Sequence, residues 1–320
     1  MKQVEVGPEG ARLGYVEFDG DDPALVFLHG LGACSPIYFA RTAVDPVLAG
    51  RRAIMIDFLG FGISDRPAGF GYTLEDHAAS IARALDTLGL ARVDMVAHSM
   101  GGSIALVLAS RRPDLVGRLV LAEPNLGPSA RPRVEPFTEA AFVQFGFEQA
   151  LTAVGPEWGA TMRLADPVAL YRTELALGRG TTPMMDELLL NLAVPCALVE
   201  GALTAELAED PSIRASGIPL RVVSAAGHCM MLDKSSGLRP RHHRGPRGPD
   251  LTTGRGDQLC AAAASVRRTA RLRRSVPAAR HRSTTATARS RRLQVPRIWR
   301  GCVNLKWPRG DGLTWPPATP

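Results

Sequence analysis

The chain has 320 residues, of which 45% are hydrophobic, a composition typical of a globular protein with one large core or two smaller ones. No run approaches the roughly 20 apolar residues of a membrane span, and the N-terminus lacks the apolar block of a signal peptide. The net charge of +7 is unevenly divided, because residues 235–320 carry 18 Arg and one Lys against three Asp, a net of +16, which leaves −9 for residues 1–234. Five cysteines at irregular spacing predict reduced thiols and a cytoplasmic location. The sequence has no zinc-site spacing and no phosphate-loop pattern, and we expect neither a metal nor an organic cofactor.

In the first part of the chain, short apolar strands alternate with helical stretches. A helix is expected to begin after Thr73, a suitable capping residue, and to end near Leu88. The predicted strands lie near residues 2–6, 11–18, 24–28, 52–57, 93–98 and 118–122. This alternation predicts a mostly parallel sheet covered by helices on both faces, with the functional site at the C-terminal ends of the strands.

The most informative stretch surrounds Ser99. An apolar run ends in this serine, which is flanked by the small residues Ala97, Gly101 and Gly102, and a helical run follows at once. The pattern predicts a strand, a sharp turn and a helix, with the serine exposed at the turn. Serine is a poor nucleophile unless a base removes its proton. The helix behind the serine directs free N–H groups at the space above it, where an oxyanion could form.

The strand pattern stops between Pro128 and Leu192, where only helical patterns remain. Breaks are expected at Gly155-Pro156, Asp166-Pro167 and Thr182-Pro183. Apolar side chains of this segment either line a pocket above Ser99 or pack against the core; they are Phe142, Phe145, Phe147, Trp158 and Met162. Strands resume at residues 196–200 and 220–224, and the second leads to Ala226-Gly227-His228.

The composition changes abruptly after Asp233. Arg, Pro, Gly, Ser, Thr and Ala dominate residues 235–320, and only Ala261 to Arg274 could form a helix. This composition predicts disorder. Three interpretations stay open: a frameshift product of a GC-rich gene, a basic arm that binds nucleic acid or anionic lipid, and a solvated extension without a role.

Four ordered segments resemble the α/β-hydrolase family over about residues 11–234. The strand at 24–28 runs into His29-Gly30-Leu31-Gly32, and the next strand precedes Gly60-Phe61-Gly62-Ile63-Ser64-Asp65. Ser99 lies in a nucleophile-elbow pattern in which Ala97 replaces the first glycine, and the last strand leads to His228. The resemblance implies a core formed by residues 1–127 and 193–234, a helical lid at 128–192 inserted before the penultimate core strand, and the tail at 235–320.

The resemblance also implies roles for individual residues. Ser99 would be the nucleophile, His228 its general base, and the N–H groups of Leu31 and Met100 the oxyanion hole. His29 would brace the oxyanion turn. His98 is expected to be structural, and Cys34 could line the pocket.

The acidic member of the triad is the uncertain one. The position that usually holds it is Thr204, which cannot stabilise an imidazolium. One branch of the haloalkane dehalogenases instead carries the acid after the strand before the lid, where this chain has Glu123. We expect Glu123 to be the acid, with Glu206, Glu200 and Asp210 as alternatives.

These residues predict a serine hydrolase that cleaves a small carboxylic ester through an acyl-enzyme, with a small-molecule substrate and no cofactor. The serine argues against the epoxide hydrolase and haloalkane dehalogenase branches, which use aspartate at this position. A carbon–carbon bond hydrolase or a perhydrolase would use nearly the same motifs. An impaired or truncated homologue with only a binding role is a further alternative, as is nucleic-acid binding through the tail.

Overall fold

A computed structural model describes residues 1–127 and 134–233 of the chain. The predictions for the tail at 235–320 and for the first residues of the lid lie outside the described residues. Eight strands form a single sheet within the described part. They are β1 (Lys2–Glu5), β2 (Arg12–Phe18), β3 (Asp21–Leu28), β4 (Arg51–Ile56), β5 (Val93–His98), β6 (Val116–Ala122), β7 (Cys196–Gly201) and β8 (Leu220–Val223).

The sheet is mostly parallel, as the alternation of strands and helices predicted. The strand order is β1-β2-β4-β3-β5-β6-β7-β8, and only the pairs β1/β2 and β2/β4 are antiparallel. Strand β5 lies inside the sheet between β3 and β6, and all six of its residues are buried. Such a strand is buried on both faces because helices cover both sides of the sheet.

Three helices of the first part of the chain pack on the two faces. They are α1 (Ser35–Ala43), α2 (Leu74–Thr87) and α3 (Met100–Arg111). Helix α1 contacts β3 and β4 and belongs to one apolar core, whereas α2 and α3 contribute to the other core. Thr73 caps α2 as predicted, because its side chain accepts from the N–H of Asp76 while the Asp76 carboxylate accepts from the N–H of Thr73.

The described residues between β6 and β7 form helices joined by turns and loops, and none of them forms a strand. Its helices are α4 (Glu139–Ala141), a π-helical turn (Phe142–Gly146), α5 (Phe147–Ala153), α6 (Gly155–Met162), α7 (Pro167–Arg179) and α8 (Met185–Leu190). A last short helix, α9 (Pro211–Ser216), lies between β7 and β8. Among all described helices, none is long and apolar enough to cross a membrane.

Candidate active site

Ser99 lies in a strained turn between β5 and α3. Its backbone has φ 53° and ψ −121°, outside the region that side chains prefer. Small neighbours are required here. A Cβ on Gly101 would lie 2.5 Å from the carbonyl oxygen of His29, and one on Gly102 would lie 3.0 Å from Cβ of Pro124. The strand, turn and helix predicted around Ser99 are therefore present, and the crowding explains the small residues around the serine.

His228 contacts the serine directly. Its Nε2 lies 2.9 Å from Oγ of Ser99, and its Nδ1 lies 3.4 Å from Oε2 of Glu123. The second distance is longer than the 2.7–2.9 Å typical of a charge-assisted bond. Catalytic hydrogen bonds commonly tighten only when substrate is bound. The structure thus brings together all three residues of the predicted triad.

Glu123 is held by the end of strand β7 and the residues that follow it. One carboxylate oxygen, Oε1, accepts from the backbone N–H of Gly201 at 2.6 Å and from the hydroxyl of Thr204 at 2.7 Å. The residue follows β6 with a positive φ of 49°. Its side chain is only 10% exposed, and a carboxylate at such a site needs partners. Thr204, which occupies the usual position of the acid, therefore donates a hydrogen bond to the carboxylate that faces the histidine.

The three alternative carboxylates have other partners or positions. Glu200 accepts from the backbone N–H groups of Glu206, Leu207 and Ala208, and Asp210 caps α9. Burial raises the pKa of Glu206, and its Oε2 is buried without a hydrogen-bond partner in the described part of the chain. Among these carboxylates, the structure records a contact with His228 only for Glu123.

Asn125 also touches the nucleophile, and the sequence analysis did not identify it. Its side-chain oxygen lies 3.2 Å from Oγ of Ser99, and the side chains of both residues are buried. The single hydroxyl proton of Ser99 cannot serve both His228 and Asn125. With the amide turned by 180°, the NH₂ group of Asn125 donates to the serine oxygen, and the proton of Ser99 faces His228. The sequence signal that could have identified Asn125 is its position two residues after Glu123.

The turn at residues 29–33, predicted to carry an oxyanion donor and called the oxyanion turn below, lies beside Ser99. A Cβ on Gly30 would lie 3.2 Å from Cβ of Ser99. The carbonyl of Gly30 accepts from Nδ1 of His29 at 2.7 Å and from the N–H of Ala33 at 3.2 Å. In a trans peptide the N–H points away from the carbonyl, so these bonds fix the direction of the Leu31 N–H. His29 stays neutral because burial lowers its pKa, and its Nε2 accepts from the N–H of Phe58.

His98 holds the loop that carries His228. Its Nε2 donates to the backbone carbonyl of His228 at 2.8 Å, and the two rings lie 4.7 Å apart between centroids. Burial lowers the pKa of His98 well below its usual value, so the ring is neutral. The expectation that His98 is structural omitted this direct link to the candidate base.

Several predicted pocket residues have other environments. Cys34 is buried and donates to Oδ2 of Asp57, and burial raises the pKa of its thiol. Phe142 packs against the rings of Phe137, Phe147 and Tyr171, whereas Phe145 is 48% exposed. Within residues 1–127 and 134–233, no group of three or more His, Cys, Asp or Glu side chains is arranged to hold a metal ion.

The fold and the site define an α/β protein whose nucleophile-like serine lies at the C-terminal end of a central parallel strand. The model of the family described as "alpha/beta hydrolase fold" matches residues 23–189, more than half of the chain. The chain therefore belongs to the α/β-hydrolase family.

Curated relatives match a shorter region. Haloalkane dehalogenase 2 of Mycobacterium tuberculosis is 36% identical over 110 residues, which is 34% of this chain and 37% of the relative. The 2-hydroxymuconate semialdehyde hydrolase of Pseudomonas sp. strain CF600 is 44% identical over 101 residues, which is 30% of this chain and 35% of the relative. The match thus spans less than half the length of these relatives.

Solved structures share the fold over more of the chain. The enol-lactonase from Burkholderia xenovorans LB400 aligns with a TM-score of 0.61 at 22% identity, covering 72% of this chain and 94% of that one. A thermophilic esterase from Thermogutta terrifontis aligns with a TM-score of 0.60 at 19% identity, covering 85% and 99%. At these identities the likeness concerns the fold alone.

Proposed function

We propose that this chain is a serine hydrolase that cleaves a small carboxylic ester through an acyl-enzyme. The observation that carries the proposal is the continuous contact from Oγ of Ser99 to Nε2 of His228, 2.9 Å away, and from Nδ1 of His228 to Glu123. A buried serine on a strained turn, with a histidine at hydrogen-bond distance, is the arrangement that activates a hydroxyl as a nucleophile.

In the proposed reaction, Ser99 attacks the ester carbonyl while His228 accepts its proton. The carboxylate of Glu123 stabilises the imidazolium and keeps Nδ1 protonated. The N–H groups of Leu31 and Met100 bind the oxyanion. His228 then protonates the leaving alcohol, and a water molecule, deprotonated by the same histidine, releases the acid and restores Ser99.

A second candidate is hydrolysis of a carbon–carbon bond. The relative from Pseudomonas sp. strain CF600, named as a 2-hydroxymuconate semialdehyde hydrolase, supports it at 44% identity over 101 residues. A serine and histidine pair could serve either reaction. Assays with p-nitrophenyl butyrate and with 2-hydroxymuconate semialdehyde compare the two directly, and turnover of only the second substrate would replace the ester proposal.

The nucleophile is tested by labelling the full-length protein with a fluorophosphonate, which reacts with activated serines. We expect stoichiometric labelling of the wild type and none of Ser99→Ala. Labelling that persists in Ser99→Ala would place the reactive serine elsewhere. A folded wild type that does not react would favour a homologue that binds small molecules without turning them over.

A further inference from the structure

Three successive carbonyl groups of the oxyanion turn are hydrogen-bonded from two different regions of the molecule. The first, on Gly30, accepts from His29 and Ala33 within the core. The second, on Leu31, accepts from the indole N–H of Trp158 at 3.0 Å. Core residues therefore fix the orientation of the Gly30 carbonyl, and lid helix α6 fixes the orientation of the Leu31 carbonyl.

A second lid residue reaches the same turn. The hydroxyl of Thr161 lies 3.1 Å from the carbonyl oxygen of Gly32 and 2.9 Å from that of Trp158, one turn earlier in its own helix. One hydroxyl proton is shared between these two acceptors, so this contact is weaker than that of the Trp158 N–H. Trp158 and Thr161 thus both donate from α6, and the carbonyls that accept from them belong to consecutive peptides of the turn.

Helix α6 lies so close to the turn that a side chain would not fit between them. A Cβ on Gly32 would lie 2.7 Å from Cε of Met162 and 3.4 Å from Nε1 of Trp158, at a φ of +65°. Met162 and Thr161 are 1% and 2% exposed and Trp158 is half-buried, so most of this contact is shielded from water. Hydrogen bonds shielded from water are costly to leave unmade.

We propose that Trp158 is a positioning residue for the oxyanion donor at Leu31. The inference rests on the proposed function, since it assigns a purpose to a lid contact of the same site. The Leu31 carbonyl and the Leu31 N–H belong to neighbouring peptides that share one Cα. The hydrogen bond that anchors this carbonyl to the lid limits rotation about the Leu31 Cα. The Leu31 N–H therefore stays directed at the substrate only while α6 is in place. Thr161 reinforces the same contact.

The kinetic test compares two matched variants. Trp158→Phe keeps an aromatic ring and removes the N–H that reaches Leu31. Tyr171→Phe removes a hydrogen bond of the same kind, from the Tyr171 hydroxyl to the carbonyl of Phe137 at 2.8 Å, which lies within the lid and away from the turn. Each is assayed with p-nitrophenyl butyrate and with a trifluoromethyl ketone, whose adduct with Ser99 mimics the tetrahedral intermediate.

For Trp158→Phe we expect kcat to fall about tenfold, less than the roughly 100-fold or more for complete loss of an oxyanion donor. KM should change less than about twofold, because the donor acts mainly on the transition state. The ketone should bind about tenfold more weakly, and Tyr171→Phe should match the wild type in all three quantities. Unchanged kcat and ketone affinity in Trp158→Phe, or equal losses in both variants, would overturn the inference.

A second measurement does not depend on catalysis. Hydrogen exchange of a peptide covering residues 29–34 reports the turn directly, in the wild type, in Trp158→Phe and in the isosteric Thr161→Val. We expect exchange to be about fivefold faster in Trp158→Phe, as for one lost hydrogen bond, and less accelerated in Thr161→Val. Unchanged exchange would overturn the inference even if Ser99 reacts normally. If exchange is faster in Trp158→Phe but the wild type fails to react with the fluorophosphonate, the lid contact is retained and only the proposed function is rejected.

Discussion

The strand that precedes Ser99 and the strand that leads to His228 differ strongly in burial. Strand β5 has neighbours on both sides, and its six residues are all buried. Strand β8 forms the edge of the sheet with four residues, of which Arg221 and Val222 are exposed. The candidate nucleophile thus follows a fully buried strand, whereas the candidate base follows a partly exposed one and is held by the packing of Ala226 and Met230 in the core that includes α1, and by a few hydrogen bonds.

Those hydrogen bonds come from the better-packed region or from the loop itself. His98, at the end of β5, donates to the carbonyl of His228, and Asp233 accepts from the N–H of Gly227. Glu123, at the end of β6, faces Nδ1 of His228. The site therefore joins a half that follows a fully buried strand to a half that follows a partly exposed strand, and each prediction below alters one of the two halves or the contacts between them.

The largest effect is expected from removing the charge that connects the halves. Glu123→Gln keeps the size of the side chain but cannot stabilise the imidazolium of His228, so kcat should fall about 10⁴-fold, as for a triad acid. Steady-state hydrolysis of p-nitrophenyl butyrate measures this change. Glu206→Gln is the matched control and should retain turnover within a few-fold. If Glu206→Gln shows the larger loss, Glu206 is the acid.

The difference in packing between the two strands can be measured as stability. Met95 of β5 is 1% exposed, and Met95→Ala should lower the free energy of unfolding by about 2–5 kcal/mol through lost contacts and a cavity. Val222 of β8 is 43% exposed, and Val222→Ala should change it by less than about 0.5 kcal/mol. Urea denaturation followed by circular dichroism compares them. Similar losses would show that β8 is as tightly packed as β5.

His98 connects the two regions without touching substrate. His98→Leu removes the donor to the His228 carbonyl, and the resulting displacement of the base should lower kcat about 10- to 100-fold with little change in KM. His98→Gln keeps an N–H at a similar reach and should recover part of the loss. Equal kcat values for His98→Leu and His98→Gln would mean that the His98 ring acts only by filling space.

Acid should destabilise the folded chain through three buried histidines. His29, His77 and His98 are buried, and burial lowers the pKa of each, to about 3 for His77. In the unfolded chain these groups titrate near 6.5, so their contribution to stability is complete above that pH and is lost as the pH falls. Each should cost about 1.4 kcal/mol per pH unit between its two pKa values. Urea denaturation at pH 7 and pH 5 measures the slope, and His77→Gln should remove one of the three contributions. If the change in unfolding free energy between pH 7 and pH 5 is the same in His77→Gln as in the wild type, His77 does not contribute to it.

Local sequence was sufficient to predict the sheet and the nucleophile turn. The pattern at Ser99 is local, because the small residues Ala97, Gly101 and Gly102 lie within three residues of it, although the atoms that crowd the two glycines belong to His29 and Pro124. The approximate positions of the strands likewise follow from short apolar runs. The parallel direction of most strands follows from their alternation with helices.

Contacts between distant segments could not be read from the sequence. The Trp158 bond to Leu31 joins residues 127 apart, and the sequence indicated only an aromatic side chain suited to a pocket. The donors to Glu123 come from residues 78 and 81 positions later, so they depend on how β7 pairs with β6. The absence of a carboxylate at Thr204 was the single local sign that the acid lies elsewhere.

The position of Glu123 ahead of the helical segment between β6 and β7 has an evolutionary consequence. The candidate nucleophile, the candidate acid and both candidate oxyanion donors lie within residues 1–127, and only the candidate base His228 follows that helical segment. Recombination that joined this N-terminal segment to a different C-terminal segment would inherit the residues of three of the four candidate elements. The incoming segment would need a histidine after its last strand, and hydrogen-bond donors for Leu31, Gly32 and Glu123 in place of those lost. New substrate preferences could then be acquired through exchange of the second half of the gene.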